Sequence, residues 1–126
     1  AKQIAEIEKG KKDPILKVGN LDSRRDFTDV RDVVRAYEIL MHKGEEGEVY
    51  NIGSGKSYKI EEVLNILLSF SDTEIIVEKD PDLVRPADIP ELLCDYSKFH
   101  NETGWKPEID IKSSLKDTLD YWRHIV

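Results

Sequence analysis

TDVRDVVRAYEILMHK, residues 28–43, is the stretch from which the fold is read. Val30, Val33, Val34, Tyr37, Leu40 and Met41 recur at three- and four-residue spacing. That period puts them on one side of a helix and predicts an amphipathic helix burying this face. Thr28 or Asp29 can cap it, because a short side-chain oxygen accepts one of the orphan N–H groups of the first turn. Gly44 and Gly47 end it near Lys43.

Working outward, the residues before this helix, Leu21-Asp22-Ser23-Arg24-Arg25-Asp26-Phe27, form a polar, arginine-bearing stretch. Upstream, Pro14 opens an extended segment, Ile15 to Val18, that stops at Gly19-Asn20. Ala1 to Lys11 reads as a helix with Ile4, Ala5 and Glu8 at helical spacing. It starts with no capping residue, as expected of a chain cut from a larger protein. Downstream, Val49-Tyr50-Asn51-Ile52 is a short strand entering Gly53-Ser54-Gly55. Tyr58 to Ile60 is extended, Glu61 to Phe70 is a second amphipathic helix, and Ile75 to Val77 is a β-branched strand. A proline-stiffened loop runs from Pro81 to Pro90, followed by a short strand at Leu92 to Cys94. Ser97 caps a helix closing at Gly104. A last helix from Ile111 turns Leu115, Leu119, Trp122 and Ile125 or Val126 inward. The class is mixed α/β and helix-rich, with one layer of small sheet against helices, in a single domain over 1–126.

Composition removes several functions. The 126 residues carry a net charge of −7 and a pI near 5.0. Such a surface repels phosphate backbones, which argues against general nucleic-acid binding but leaves room for one basic pocket. No apolar run approaches the ~20 residues that cross a bilayer, and the N-terminus lacks the apolar core of a secretory signal. A lone cysteine, Cys94, rules out an internal disulfide and fits a reducing cytoplasm. Flanked by Leu92 and Leu93, it is expected to be a buried structural thiol. His42, His100 and His124 are scattered, so no metal site is expected. No Gly-x-Ser-x-Gly marks a hydrolase, and no trio of glycines has the spacing of a dinucleotide loop. Gly53-Ser54-Gly55-Lys56-Ser57 tempts a phosphate-loop reading with Lys56 and Ser57. The first glycine of that pattern would fall at Tyr50, so a strand-ending turn is preferred.

Two arginine-centred segments stand out, Arg24-Arg25-Asp26-Phe27 and Arg85-Pro86-Ala87-Asp88. Guanidinium groups are planar forks that match phosphate oxygens, so two of them from separate loops suit a diphosphate. Asp88 could accept from ribose hydroxyls. The plainer alternative stays open: surface pairing of Arg25 with Asp26 or Asp29, and of Arg85 with Asp82 or Asp88, worth about 0–1 kcal/mol each.

Five stretches, in order, resemble the C-terminal region of extended short-chain dehydrogenases/reductases acting on nucleotide-sugars. They are Val18-Gly19-Asn20-Leu21 through Arg25-Asp26-Phe27-Thr28-Asp29-Val30-Arg31-Asp32-Val33; Tyr50-Asn51-Ile52-Gly53-Ser54-Gly55; Arg85-Pro86-Ala87-Asp88; Asp95-Tyr96-Ser97-Lys98; and Gly104-Trp105-Lys106-Pro107. Within that family the chain looks closest to GDP-4-keto-6-deoxy-mannose reductases, then to GDP-mannose 4,6-dehydratases. The resemblance implies that Arg25 and Arg85 bind the diphosphate from two sides and that Asp88 bonds the ribose hydroxyls. It puts Asn20 and Leu21 near the base, and makes Gly53 and Gly55 a turn beside the cofactor half. Asp26, Asp95, Trp105 and Pro107 would form a structural frame.

The family's glycine-rich loop and its Tyr-x-x-x-Lys pair are missing: four residues after Tyr37, Tyr50, Tyr58, Tyr96 and Tyr121 stand Met41, Ser54, Glu62, His100 and Ile125. The expectation is therefore a GDP-sugar-binding part of an NAD(P)-dependent oxidoreductase or lyase, with no catalytic, cofactor-binding or metal residues of its own. Its partners would be the nucleotide-sugar and a Rossmann domain in cis or in trans. It would self-associate through the apolar surface that such a domain covers. The alternatives are a non-catalytic partner subunit, a structural remnant, or a phosphate-loop-like binder.

Overall fold

The computed structural model describes residues 1–84 and 88–126. In chain order they form helix α1 (Lys2–Glu8), strand β1 (Ile15–Val18), strand β2 (Arg24–Asp26), helix α2 (Val30–Lys43), strand β3 (Ser57–Lys59), helix α3 (Ile60–Leu68), strand β4 (Ile76–Lys79), a 3-10 turn (Pro81–Leu83), strand β5 (Glu91–Leu92), helix α4 (Ser97–Thr103) and helix α5 (Ile111–Ile125). Arg85, with Pro86 and Ala87, lies outside the described residues.

The fold is mixed α/β as expected, but the strands make two small sheets instead of one. β1 pairs in parallel with β4, Leu16 opposite Val77. β2 is the centre of the second sheet, antiparallel to β3 and parallel to β5. The polar stretch before α2 therefore contains a strand. Its residues Arg24-Arg25-Asp26 carry no hydrophobic alternation, and the ladder exists because β3 and β5 arrive from far along the chain. Conversely, Val49 to Ile52 form no strand: among the described residues their backbone finds no ladder partner, and Val49 is exposed.

Two apolar clusters hold the elements together. One joins Ile4, Ala5 and Ile7 of α1, Leu16 of β1 and Leu119 of α5, with Leu64 and Leu67 of α3 against them. Ile7, not Glu8, is the third inward residue of α1, and Ile125 is exposed while Val126 packs inward. The second cluster sets Ala36 of α2 against Phe99 of α4 and Trp105, with ring centroids of Phe99 and Trp105 5.5 Å apart.

The largest departure concerns α2. Asp29 caps it, accepting from Arg31 N–H at 2.9 Å. Its buried side, however, is Asp32 and Ala36 with Ile39 and Leu40 behind them, while Val30, Val34, Tyr37 and Met41 face outward, Met41 at 84% exposure. The helical period identifies a face of apolar residues but not what covers it. Asp32 takes the inner side because its carboxylate is fully employed. It accepts from Glu108 N–H and Ile109 N–H at 3.0 Å and from Arg35 at 2.8 Å.

Candidate functional site: a nucleotide-sized pocket

β1 ends at Val18 and the chain turns through Gly19 and Asn20 toward β2. Gly19 permits this turn, since a Cβ there would lie 2.3 Å from the Leu83 carbonyl oxygen. The 3-10 turn thereby sits against the end of β1. Between them and α3 opens a pocket of ≈ 460 Å³. Val18, Leu21, Val63, Leu64, Leu67 and Leu83 give it an apolar wall, and Asn20, Ser23, Arg25 and Asp88 give it one polar end. That combination, apolar walls with a few converging polar groups, is what small-molecule sites present.

Of the five residues singled out in the sequence, Asn20, Leu21, Arg25 and Asp88 all line this pocket; Arg85 lies outside the described residues. Arg25 is held from several sides. Its Nη1 donates to the Arg24 and Ile89 carbonyls, both at 2.7 Å, and its Nη2 to Asp88 Oδ1 at 2.5 Å. Of the two ways of pairing Arg25 weighed above, Asp26 or Asp29, neither occurs: the ion pair is with Asp88, 63 residues away. Among the described residues no hydrogen bond from the Arg25 Nε–H is formed. The Asp88 carboxyl is held below its ordinary value, first by the Ser23 hydroxyl against a cost of burial, then by Arg25 and Asn20.

Beside the pocket, Asp26 ties the site together. Its carboxylate accepts from Ser54 N–H and Gly55 N–H, both at 2.8 Å, from the Ser54 hydroxyl at 2.6 Å, from Thr28 at 3.1 Å and from Cys94 N–H at 3.3 Å. Burial opposes its ionisation, but these hydrogen bonds together outweigh burial and keep its pKa below the ordinary value. Gly53 lies against Cys94, and a Cβ there would come within 2.2 Å of the Cys94 Cβ. Cys94 itself is half-buried, not buried as expected, because Leu92 and Leu93 just before it are exposed and do not cover it. A phosphate loop at Gly53 to Ser57 is excluded by geometry. Ser57 begins β3, its hydroxyl accepts from Arg24 and donates to Glu91, and α3 starts only at Ile60. The turn thus runs into a strand and not into a helix, so it lacks the loop-to-helix geometry of a phosphate loop; the helix N-terminus that shares a pocket with Lys56 is that of α5, from far along the chain and capped by Asp110. Among the described residues no group of His, Cys, Asp and Glu could hold a metal ion.

A family model described as GDP-mannose 4,6 dehydratase matches residues 1–118. The chain belongs to this family. It is 41% identical over 122 residues to a GDP-6-deoxy-D-mannose reductase of Pseudomonas aeruginosa, covering 97% of this chain and 40% of the relative. It is 29% identical to a GDP-mannose 4,6-dehydratase of Yersinia enterocolitica, over 92% of this chain and 38% of the relative. A solved structure of RMD from Pseudomonas aeruginosa complexed with NADPH superposes with a TM-score of 0.91 at 39% identity, covering 99% of this chain and 41% of that one. A UDP-glucose 4-epimerase of Thermotoga maritima with UDP-glucose superposes at 0.76, with 28% identity, over 97% and 38%. The dehydratase-family chain described here thus spans about two-fifths of its relatives' length and corresponds to the C-terminal portion of extended short-chain dehydrogenase/reductase structures. No helix among its described residues is long and apolar enough to cross a membrane.

Proposed function

We propose that this chain is the nucleotide-sugar-binding domain of a GDP-sugar reductase or dehydratase, and that it positions substrate without performing the chemistry. The observation that carries the reading is convergence. Asn20, Leu21, Arg25 and Asp88, from segments more than sixty residues apart, meet at one pocket of ≈ 460 Å³. The apolar wall suits a base, the Arg25 guanidinium suits a diphosphate oxygen, and Asp88 suits ribose hydroxyls. Arg85 completes the diphosphate clamp in this reading. GDP is favoured over other nucleotides by the 41% identity to a GDP-6-deoxy-D-mannose reductase.

The residues of this chain do not fit NAD(P). Gly53 to Gly55 lead into β3, not into a helix, so the turn offers no helix N-terminus to a pyrophosphate. The dinucleotide is therefore assigned to a Rossmann domain in cis or in trans. What this chain supplies is orientation: a held diphosphate fixes the sugar against the partner and removes translational freedom from the reaction. The outward stripe of α2, Val30, Val34, Tyr37 and Met41, is the surface such a partner covers, and a second copy covers it when the partner is missing.

Calorimetric titration with GDP, GDP-mannose and ATP tests the reading. GDP and GDP-mannose are expected to bind, and Arg25→Ala or Arg85→Ala to weaken both roughly 10–100-fold, the loss of charge-assisted hydrogen bonds. Absence of binding to any of the three returns the chain to a structural remnant.

A further inference from the structure

Ser23 is 4% exposed, on the connection between β1 and β2, and its carbonyl oxygen holds the Ile60 N–H at 3.0 Å. Its hydroxyl accepts from Asn20 Nδ2 at 2.9 Å and donates to Asp88 Oδ2. These directions are forced. Asn20 Oδ1 accepts the Asp22 N–H at 3.0 Å, which turns the amide nitrogen toward Ser23 and Asp88. An amide nitrogen only donates, so the hydroxyl accepts there and sends its own proton to the carboxylate. The second N–H of Asn20 reaches the same Asp88 oxygen at 3.1 Å. Among the described residues two donors fill Oδ2, and Oδ1 carries Arg25 alone. Each carboxylate oxygen has about two acceptor positions. Among the described residues one position therefore remains on Oδ1, directly beside the Arg25 guanidinium. Without the Ser23 and Asn20 donors the carboxylate could rotate and offer either oxygen.

We propose that Ser23 is the positioning residue that makes this pocket selective for a nucleoside diphosphate with free ribose hydroxyls. With Asn20 it locks Asp88 so that a single acceptor faces the ligand, next to the cation that takes the diphosphate. Asn20 then acts through Asp88: its amide oxygen and both amide N–H groups are engaged inside the protein. The proposal rests on the nucleotide-site reading above.

The test compares dissociation constants of GDP and 2′,3′-dideoxy-GDP by calorimetry for the unaltered chain, Ser23→Ala, Ser23→Thr and Asn20→Ala. The unaltered chain is expected to prefer GDP by about 10-fold, the worth of one charge-assisted hydrogen bond. Ser23→Ala should narrow that preference to within about 2-fold and be rescued by Ser23→Thr, which keeps the hydroxyl. If circular dichroism shows Ser23→Ala unfolded, Asn20→Ala, at a less buried position, carries the same comparison with the same expected narrowing. A retained preference in the folded variant, or equal weakening of both ligands, overturns the proposal. Failure of the unaltered chain to bind either ligand overturns the nucleotide-site reading itself, and the two failures are told apart by that first titration.

Discussion

Replacing Asp32 by alanine removes a carboxylate that is 1% exposed and holds the Glu108 to Ile109 backbone against α2. Two N–H groups at 3.0 Å lose their only acceptor among the described residues. A fully buried donor left unpaired costs about 1–3 kcal/mol; these two bonds are part-buried, so the pair costs about 2–3 kcal/mol. Arg35 adds little, because its side chain is 30% exposed and already lies 3.5 Å from Glu108, to which it can turn. A loss near 3 kcal/mol is a large part of the roughly 5–15 kcal/mol that holds a domain of this size. Asp32→Asn keeps one acceptor oxygen for the two N–H groups but sets an amide NH2 where Oδ1 accepts from Arg35, so that hydrogen bond is lost with the charge; Arg35 can turn to Glu108, and the cost is about 1–2 kcal/mol. Urea denaturation followed by tryptophan fluorescence reads this directly, since the Trp105 indole N–H donates to the Asp32 carbonyl at 3.2 Å. The pH dependence supplies a second check. Burial opposes ionisation of Asp32, but Arg35 and the two N–H groups outweigh it and lower its pKa. A lowered folded value gives stability that is complete above the ordinary aspartate range and is lost as pH falls through the folded value. Asp32→Asn should therefore flatten the stability curve below about pH 4. If Asp32→Ala stays within about 1 kcal/mol of the unaltered chain, or if the asparagine is as damaging as the alanine, the account of this carboxylate is wrong.

Two further outcomes are expected. Gly53→Ala drives a Cβ to 2.2 Å from the Cys94 Cβ and 2.5 Å from its sulfur. This overpacking should cost about 1–3 kcal/mol and lower the melting temperature, and Cys94→Gly, which removes the clashing Cβ, should recover part of the loss in a double-mutant cycle. On α2, Val34→Asp with Met41→Lys alters residues at 59% and 84% exposure. Stability should change by less than about 0.5 kcal/mol per site, while light scattering over a concentration range moves from associated to monomeric species. A chain that is monomeric before the substitution counts against the stripe as a covered surface.

Local chemistry was legible wherever neighbouring residues decide the outcome. The Asp29 cap and the length of α2, the closing glycine of α4 at Gly104, β1 after Pro14 and the α5 helix follow from capping, glycine geometry and periodicity within a few residues. The convergence of Asn20, Leu21, Arg25 and Asp88 was anticipated through resemblance to a family, not through spacing. Ser23 and Asp32 were missed as individual sites, because a serine in a polar stretch and an aspartate within an apolar helix pattern carry no local sign of burial. The only available signal for Asp32 was its misfit: a charged residue two positions from Val30 and Val34, on the opposite side of the turn, near a buried Ala36.

What the sequence determined alone is the helices and β1, the Asp29 cap of α2 and the residue types able to grip a diphosphate, because these depend on contacts within one or two helical turns; Ser97, expected to cap α4, instead lies inside it, after Tyr96 at the cap position. What the tertiary structure decided is pairing and coverage. β2 is a strand because β3 and β5 lie beside it, residues 49–52 are not because no described strand pairs with them, and the apolar stripe of α2 faces outward because Asp32 and Ala36 meet α4 and Trp105. Periodicity gives each element a face. Only the arrangement of distant segments says which face is covered, and which carboxylate an arginine will find.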